Sequence, residues 1–158
     1  MKQTIAGTGL WIAAAAAGSA AFADSAPLAE PFARYADPAS VVLAVKAGFP
    51  ATGGAVRLSV YDDDRSFLQT AILKFNATVD DDGVAVMPLR GLSPGAYAFV
   101  AYYDANGDGR LNRGGVLGKP KEPVAFSNGV KPKLRRPHFD ETKVEVQPGS
   151  VVVLTLDQ

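Results

Sequence analysis

Oxygen-bearing side chains in the segment 104–112 (DANGDGRLN) have the spacing of a calcium-binding loop. Such side chains occupy the first, third, fifth and ninth positions, and glycine occupies the sixth. Alternate residues of a tight loop point inward, where carboxylate and amide oxygens replace the water around a hard cation. The predicted calcium ligands are the side chains of Asp104, Asn106, Asp108 and Asn112 and the backbone carbonyl of Arg110.

The predicted cage lacks its twelfth position. An EF-hand loop carries a bidentate glutamate there, whereas this chain has Gly115. A distant carboxylate, such as Asp140 or Glu141, would have to complete the coordination. The alternative is a surface turn that holds no metal, because Asp, Asn and Gly are also the residues that turns prefer. If calcium binds, we expect a Kd of about 10⁻⁴–10⁻³ M, as in extracellular modules.

A basic surface is the second candidate for binding. Residues 114–139 contain six basic residues and one acidic residue, Glu122. The basic residues are Lys119, Lys121, Lys131, Lys133, Arg135 and Arg136. Residues 24–109 carry a net charge of −5 and residues 110–158 one of +4. This asymmetry suits an anionic ligand, a glycan or an envelope protein as partner, and a solvated charged face is the alternative.

The sequence lacks several residue types and motifs on which enzyme catalysis commonly depends. No cysteine is present, which excludes thiolate nucleophiles and disulfides. His138 is the single histidine, which excludes multi-histidine metal sites. The chain also lacks a phosphate-binding loop, a GxSxG nucleophile elbow and an HExxH zinc motif. We therefore expect a non-catalytic protein without an organic cofactor. The alternatives are a carboxylate-based hydrolase that uses the same loop and a purely structural envelope protein.

The N-terminal residues indicate export. Residues 1–23 carry one charge, on Lys2, followed by an apolar stretch and the small-x-small triplet 21–23. This order predicts a signal peptide cleaved after residue 23, with no transmembrane span left after cleavage. The mature protein would then be periplasmic or secreted. Because the net charge of the whole chain is zero, we expect no nucleic-acid partner.

The remaining sequence predicts one all-β domain. Residues 24–39 are rich in Pro and Ala and suit a tether. From residue 40 to 158, about seven short segments alternate apolar and polar residues or are apolar throughout, and Gly, Pro and Asp turns separate them. This pattern favours a single antiparallel β-sandwich of about seven strands. The Gly- and Pro-rich segment 114–139 is expected to form one long loop.

Several motifs together resemble a known bacterial family. The run 91–97 (GLSPGAY) is similar to a turn of transthyretin-like and carboxypeptidase-regulatory-like sandwiches. The runs 102–112 (YYDANGDGRLN), 116–128 (VLGKPKEPVAFSN) and 135–146 (RRPHFDETKVEV) resemble the exported domain of unknown function 2141. The resemblance covers residues 40–156 and departs from the family pattern at Asn112 and Thr142. It implies an exported immunoglobulin- or transthyretin-like sandwich of uncharacterised activity.

Overall fold

The alternating segments form strands, as the sequence predicts. The computed structural model describes residues 32–115, 118–131 and 135–158. Ten strands lie in these ranges, and they include all seven predicted ones. They are β1 (Ser40–Ala47), β2 (Ala55–Tyr61), β3 (Leu73–Ala77), β4 (Val84–Arg90), β5 (Gly95–Asp104), β6 (Arg113–Gly114), β7 (Lys119–Pro120), β8 (Val124–Phe126), β9 (Val144–Val146) and β10 (Val151–Leu156). The prediction of an all-β sandwich is confirmed.

The longer strands belong to two sheets. Sheet A has the order β10-β1-β4, and sheet B has the order β3-β2-β5-β8, with β9 also paired to β5. All pairs of sheet B are antiparallel. In sheet A, β1 is antiparallel to β4 but parallel to β10, which corrects the prediction of a purely antiparallel sandwich. Alternation has the same period in either direction, so the sequence pattern does not reveal which way a neighbouring strand runs.

The facing sides of the two sheets form one apolar core. Side chains two residues apart point to the same face of a strand, so a single alternating set fills the interior from each strand. Residues of this core that are at most 1% exposed include Val41, Leu43 and Val45 of β1, Val56, Leu58 and Val60 of β2, Leu89 of β4 and Phe99 of β5. Each such side chain contributes about 1.5–3 kcal/mol relative to exposure.

The outer face of sheet A is covered by a short 3₁₀ turn, Phe32–Tyr35. Val42 and Ala44 of β1 are buried on this face, and the rings of Phe32 and Tyr35 pack against their cluster. Burial on both faces explains why β1 is almost continuously apolar. The predicted signal peptide 1–23 and residues 24–31 of the predicted tether lie outside the described residues.

The outer face of sheet B is covered over part of its area. Phe67, which follows β2, and Phe139 pack over Ala98 and Val100 of β5. The two phenyl rings meet edge to face with their centroids 6.0 Å apart. Tyr102 lies further along β5, outside this cluster, and is partly exposed. The cover therefore ends before the strand reaches the predicted calcium loop.

One edge of β5 is paired by two short strands with a gap between them. β8 pairs with residues 100–102, and β9 pairs with residues 95–97. In the gap, the N–H of Phe99 donates to Ser127 Oγ at 2.9 Å, and the Ser127 hydroxyl donates to the carbonyl of Thr142 at 2.5 Å. A single buried hydroxyl thus completes the edge of β5 and connects the end of β8 to the helical turn before β9.

The segment 114–139 contains regular structure as well as loop. It includes β7, β8 and the 3₁₀ turn Ser127–Gly129, and it leads into the helical turn α1 (Phe139–Thr142). The predicted long loop therefore adds a strand to sheet B, which the sequence pattern did not indicate because three residues are too few to show a period. None of the helices in the described ranges is long and apolar enough to cross a membrane.

Replacing Ser127 with alanine is expected to destabilise the fold by about 1–3 kcal/mol, because it leaves the buried N–H of Phe99 without an acceptor. Urea unfolding measures the change. Ser93→Ala is the matched control, since this serine is exposed between β4 and β5, and it should leave the stability within about 0.5 kcal/mol of wild type. Equal stability of the two variants would contradict the role assigned to the Ser127 hydroxyl.

Candidate functional site

β5 ends at Asp104, whose side chain leaves the outer face of the strand at the start of the predicted calcium loop. The Asp104 side chain is fully buried. Its Oδ2 atom accepts hydrogen bonds from Arg57 Nε at 2.5 Å and from the N–H of Gly109 at 2.9 Å. Arg57 lies on β2 directly opposite Tyr102, so its side chain reaches Asp104 diagonally across the sheet. The guanidinium of Arg57 therefore balances the charge of the first carboxylate of the loop.

Two glycines allow the loop to close around this ion pair. Gly107 and Gly109 have φ angles of 72° and 78°, in the left-handed region that other residues rarely adopt. A Cβ atom on Gly109 would lie 3.6 Å from the guanidinium carbon of Arg57. The loop backbone thus packs directly against the arginine head group, which brings the loop against sheet B.

Four of the five predicted ligand residues meet around Asp108. Its Oδ1 atom accepts the N–H of Arg110 at 2.8 Å. Its Oδ2 atom accepts the side-chain amides of Asn106 at 3.0 Å and Asn112 at 2.9 Å. The N–H of Asp108 in turn donates to Asn106 Oδ1 at 3.2 Å. The structure therefore brings these residues together, with Asp104 joined to them through the backbone of Gly109.

The charges of the loop follow from these contacts. Burial raises the pKa of Asp104, but the hydrogen bonds from Arg57 and Gly109, with the nearby amide of Gly107, lower it by more, so the net shift is downward. The amide of Asn112 is the largest cause that lowers the pKa of Asp108. The hydrogen bond to Asp104 raises the pKa of Arg57, although burial opposes it. Both carboxylates and the guanidinium are therefore charged at neutral pH.

One oxygen of this arrangement is left unsatisfied. Asp104 Oδ1 is the single buried side-chain oxygen or nitrogen in the described ranges without a hydrogen-bond partner. Leaving a buried acceptor unpaired costs free energy, and a cation placed beside it would remove that cost. Rotating the amides of Asn106 and Asn112 would present their oxygens instead of their N–H groups. The loop thus contains carboxylate, amide and backbone oxygens, which are the kinds of ligand that Ca²⁺ binds.

The number of carboxylates in the loop is small. Across the part of the chain that the structure describes, no three acidic, histidine or cysteine side chains converge to hold a metal. Asp140 and Glu141, named above as possible additional ligands, lie on α1, where they pair with Lys143 at 2.7 Å and Arg135 at 2.6 Å. A cation at the loop would therefore depend on amide and backbone oxygens in addition to Asp104 and Asp108.

Three residues near the loop are not among the predicted calcium ligands. Arg57 occupies an outward position of β2 and has the pattern of a solvent-facing residue. Glu122 accepts the N–H of Asn112 at 2.9 Å and so connects the end of the loop to the segment before β8. Tyr102 shares the outward face of β5 with Asp104. Alternation places Tyr102 on the same face as Asp104, whereas no sequence signal places Arg57 or Glu122 beside the loop.

The predicted basic surface is divided among different parts of the fold. Lys119 on β7, the neighbouring Lys121 and Arg136 are exposed. Lys131 pairs with Asp157 beyond β10 at 2.7 Å, and Arg135 makes a two-point contact with Glu141 at 2.6 and 2.8 Å. Lys133 lies outside the described residues. Two of the six basic side chains are thus matched by carboxylates of the same chain.

A groove of about 840 Å³ runs along the open side of the sandwich between β8 and β10. Phe126 and Val153 contribute to its walls, and Lys131 and Asp157 also line it. Glu122, which holds the end of the loop, belongs to the same groove. The loop and the groove are therefore neighbouring surfaces joined through one residue.

The chain matches the family of uncharacterized proteins conserved in bacteria, DUF2141, over residues 46–153. The chain belongs to this family. The matched range includes the Asp104–Asn112 loop and the segment 114–139, and it confirms the resemblance that the motifs indicated. No curated protein and no solved structure matches the chain. Because DUF2141 has no assigned activity, a function has to be argued from the site itself.

The Arg135–Glu141 pair makes a contribution to the stability of the fold that is lost at acid pH. The hydrogen bonds from Arg135, followed by that from the N–H of His138, lower the pKa of Glu141 from 4.5 to about 2. A lowered pKa stabilises the fold above 4.5, and this contribution is lost as the pH falls towards 2. Glu141→Gln should therefore lower the Tm by a few degrees at neutral pH.

The difference in Tm between wild type and Glu141→Gln should shrink steadily below pH 4.5, and thermal unfolding followed by circular dichroism across this range measures it. Asp140→Asn is the control, because it changes an exposed carboxylate on the same helical turn whose partner, Lys143, is three residues away. A Tm difference for Glu141→Gln that stays constant from neutral to acid pH would contradict the role of the pair.

Proposed function

We propose that the protein is an exported, non-catalytic binding module of the cell envelope whose Asp104–Asn112 loop binds calcium. The buried, unpartnered Oδ1 atom of Asp104 carries the proposal, because a cation beside it would satisfy this buried acceptor. The predicted signal peptide 1–23 supports export. The proposed binding face comprises this loop and the strands β6 and β7.

The geometry supports binding rather than hydrolysis. A carboxylate-based hydrolase needs a carboxyl group that exchanges a proton with a bound substrate. Asp104 is buried beneath the loop and paired with Arg57, and both oxygens of Asp108 accept hydrogen bonds from within the loop. Calcium would order this loop and hold a ligand, and no bond-making step is required of it.

Calcium titration is the direct test. Isothermal calorimetry of the purified protein should give a Kd of about 10⁻⁴–10⁻³ M, and at ten times Kd the folded state should gain about 1.4 kcal/mol. Asp108→Asn should abolish both the heat and the rise in Tm, since it removes one of two carboxylates in the loop. Asp81→Asn, at an exposed turn, should behave as wild type. The absence of heat and of a Tm shift at millimolar calcium would overturn the proposal.

The variant Arg57→Gln tests whether Arg57 and calcium can both interact with the Asp104 carboxylate. Without Arg57 the buried carboxylate loses its counter-ion, so the Tm should fall by several degrees in the absence of calcium. Calcium should then raise the Tm of the variant by more than it raises that of wild type. Arg65→Gln, at an exposed position of the loop after β2, should change neither value. If Arg57→Gln binds calcium and wild type does not, the guanidinium occupies the cation position and the native loop is not a calcium site.

A further inference from the structure

The uncovered part of the outer face of sheet B presents an aromatic ring beside the loop. Tyr102 lies two residues before Asp104 on β5, so both side chains leave the same face of the strand. Its direct neighbours across the sheet are Arg57 on β2 and Val124 on β8. The ring is partly exposed, whereas Val100, the preceding outward residue, is buried beneath the phenylalanine cluster.

Calcium would bring the charges around this ring close to balance. Four charged side chains act on the Tyr102 hydroxyl: Arg57, Asp104, Glu122 and Asp108. Three carboxylates and one guanidinium have a formal charge of −2, which one Ca²⁺ ion cancels. Arg110 of the same loop is exposed and adds one positive charge. The calcium-loaded site would thus carry little net charge, which suits a neutral ligand.

The loop also leaves room in the coordination sphere of the ion. Calcium takes about six to eight oxygen ligands, whereas the loop offers five residues and has Gly115 at the position of the bidentate glutamate. If each residue supplies one oxygen, at least one coordination position would be open to oxygen atoms from outside the protein. Two adjacent hydroxyl groups of a sugar ring provide such oxygens, and the apolar C–H face of the same ring suits the face of a tyrosine.

We propose that the calcium-loaded Asp104–Asn112 loop and the Tyr102 ring together bind a neutral carbohydrate. An adjacent pair of sugar hydroxyls completes the coordination of the ion, and the C–H face of the sugar packs on Tyr102. Arg57, with a side chain that is 33% exposed, donates a hydrogen bond to a further hydroxyl. This inference rests on the calcium site proposed above, and it names the ligand class of that site.

The test uses soluble malto-, cello-, manno- and chito-oligosaccharides as neutral probes and polygalacturonate oligomers as anionic ones. Binding of the purified protein to each probe is measured by calorimetry with calcium and with EDTA. We expect at least one neutral probe to bind with calcium and none to bind with EDTA. Binding of the anionic probe alone, or sugar binding that survives EDTA, would overturn the proposal in favour of the basic residues or of a metal-independent surface.

Substitutions separate calcium binding from sugar binding. Tyr102→Ala should weaken sugar binding by about tenfold while leaving the Kd for calcium unchanged, and Asp108→Asn should abolish both. Tyr102→Leu keeps an apolar side chain of moderate size on the sheet and removes the ring, so it should also lose sugar affinity if Tyr102→Ala folds poorly. Tyr35→Ala, which removes a partly exposed tyrosine from the outer face of the other sheet, is the matched control and should bind as wild type.

Two failures can be told apart. If the protein binds calcium but none of the neutral probes, the carbohydrate proposal is overturned and the calcium site stands. No calcium binding by the wild-type protein would overturn both proposals. Sugar affinity that is equal in wild type and Tyr102→Leu would show that the ring makes no contact with the ligand, and it would also overturn the proposed mode of binding.

Discussion

β5 must pair its backbone N–H and C=O groups along both edges while it buries side chains on both faces. The rest of the structure is arranged around this requirement. One edge is paired by β2 over most of its length. The other edge is shared by β8 and β9, and neither is long enough to cover it alone. Ser127 fills the gap between them, because its hydroxyl can accept the N–H of Phe99 and donate to the carbonyl of Thr142 at the same time.

The same strand also carries an ionised carboxylate to a fully buried position at Asp104. A buried charge is tolerated only when an opposite charge and hydrogen bonds compensate it, and here Arg57 and the N–H of Gly109 do so. The compensation holds the loop against the sheet, since Gly109 packs on the guanidinium. It satisfies only Oδ2, and the free Oδ1 gives the loop its proposed capacity for a cation. The position of the loop and its proposed calcium binding therefore depend on one carboxylate.

Local pattern predicted the elements well and their partners poorly. All seven strands inferred from alternating or continuously apolar segments are present, because each buries one or both of its faces. The short strand β8 was missed, since Val124–Phe126 is stabilised by pairing with β5 rather than by any periodic pattern. The parallel pairing of β1 with β10 was missed for a related reason, as strand direction is set by how distant segments of the chain meet.

The sequence by itself determined the all-β class and the composition of the 104–112 loop, because alternation and turn chemistry act between residues close in the chain. It also identified the family through its motifs, which the match over residues 46–153 confirms. Only the tertiary structure decided that Arg57 neutralises Asp104 and that Glu122 rather than Asp140 or Glu141 reaches the loop. These contacts join residues from separate strands and loops, and such proximity is set by sheet register and packing.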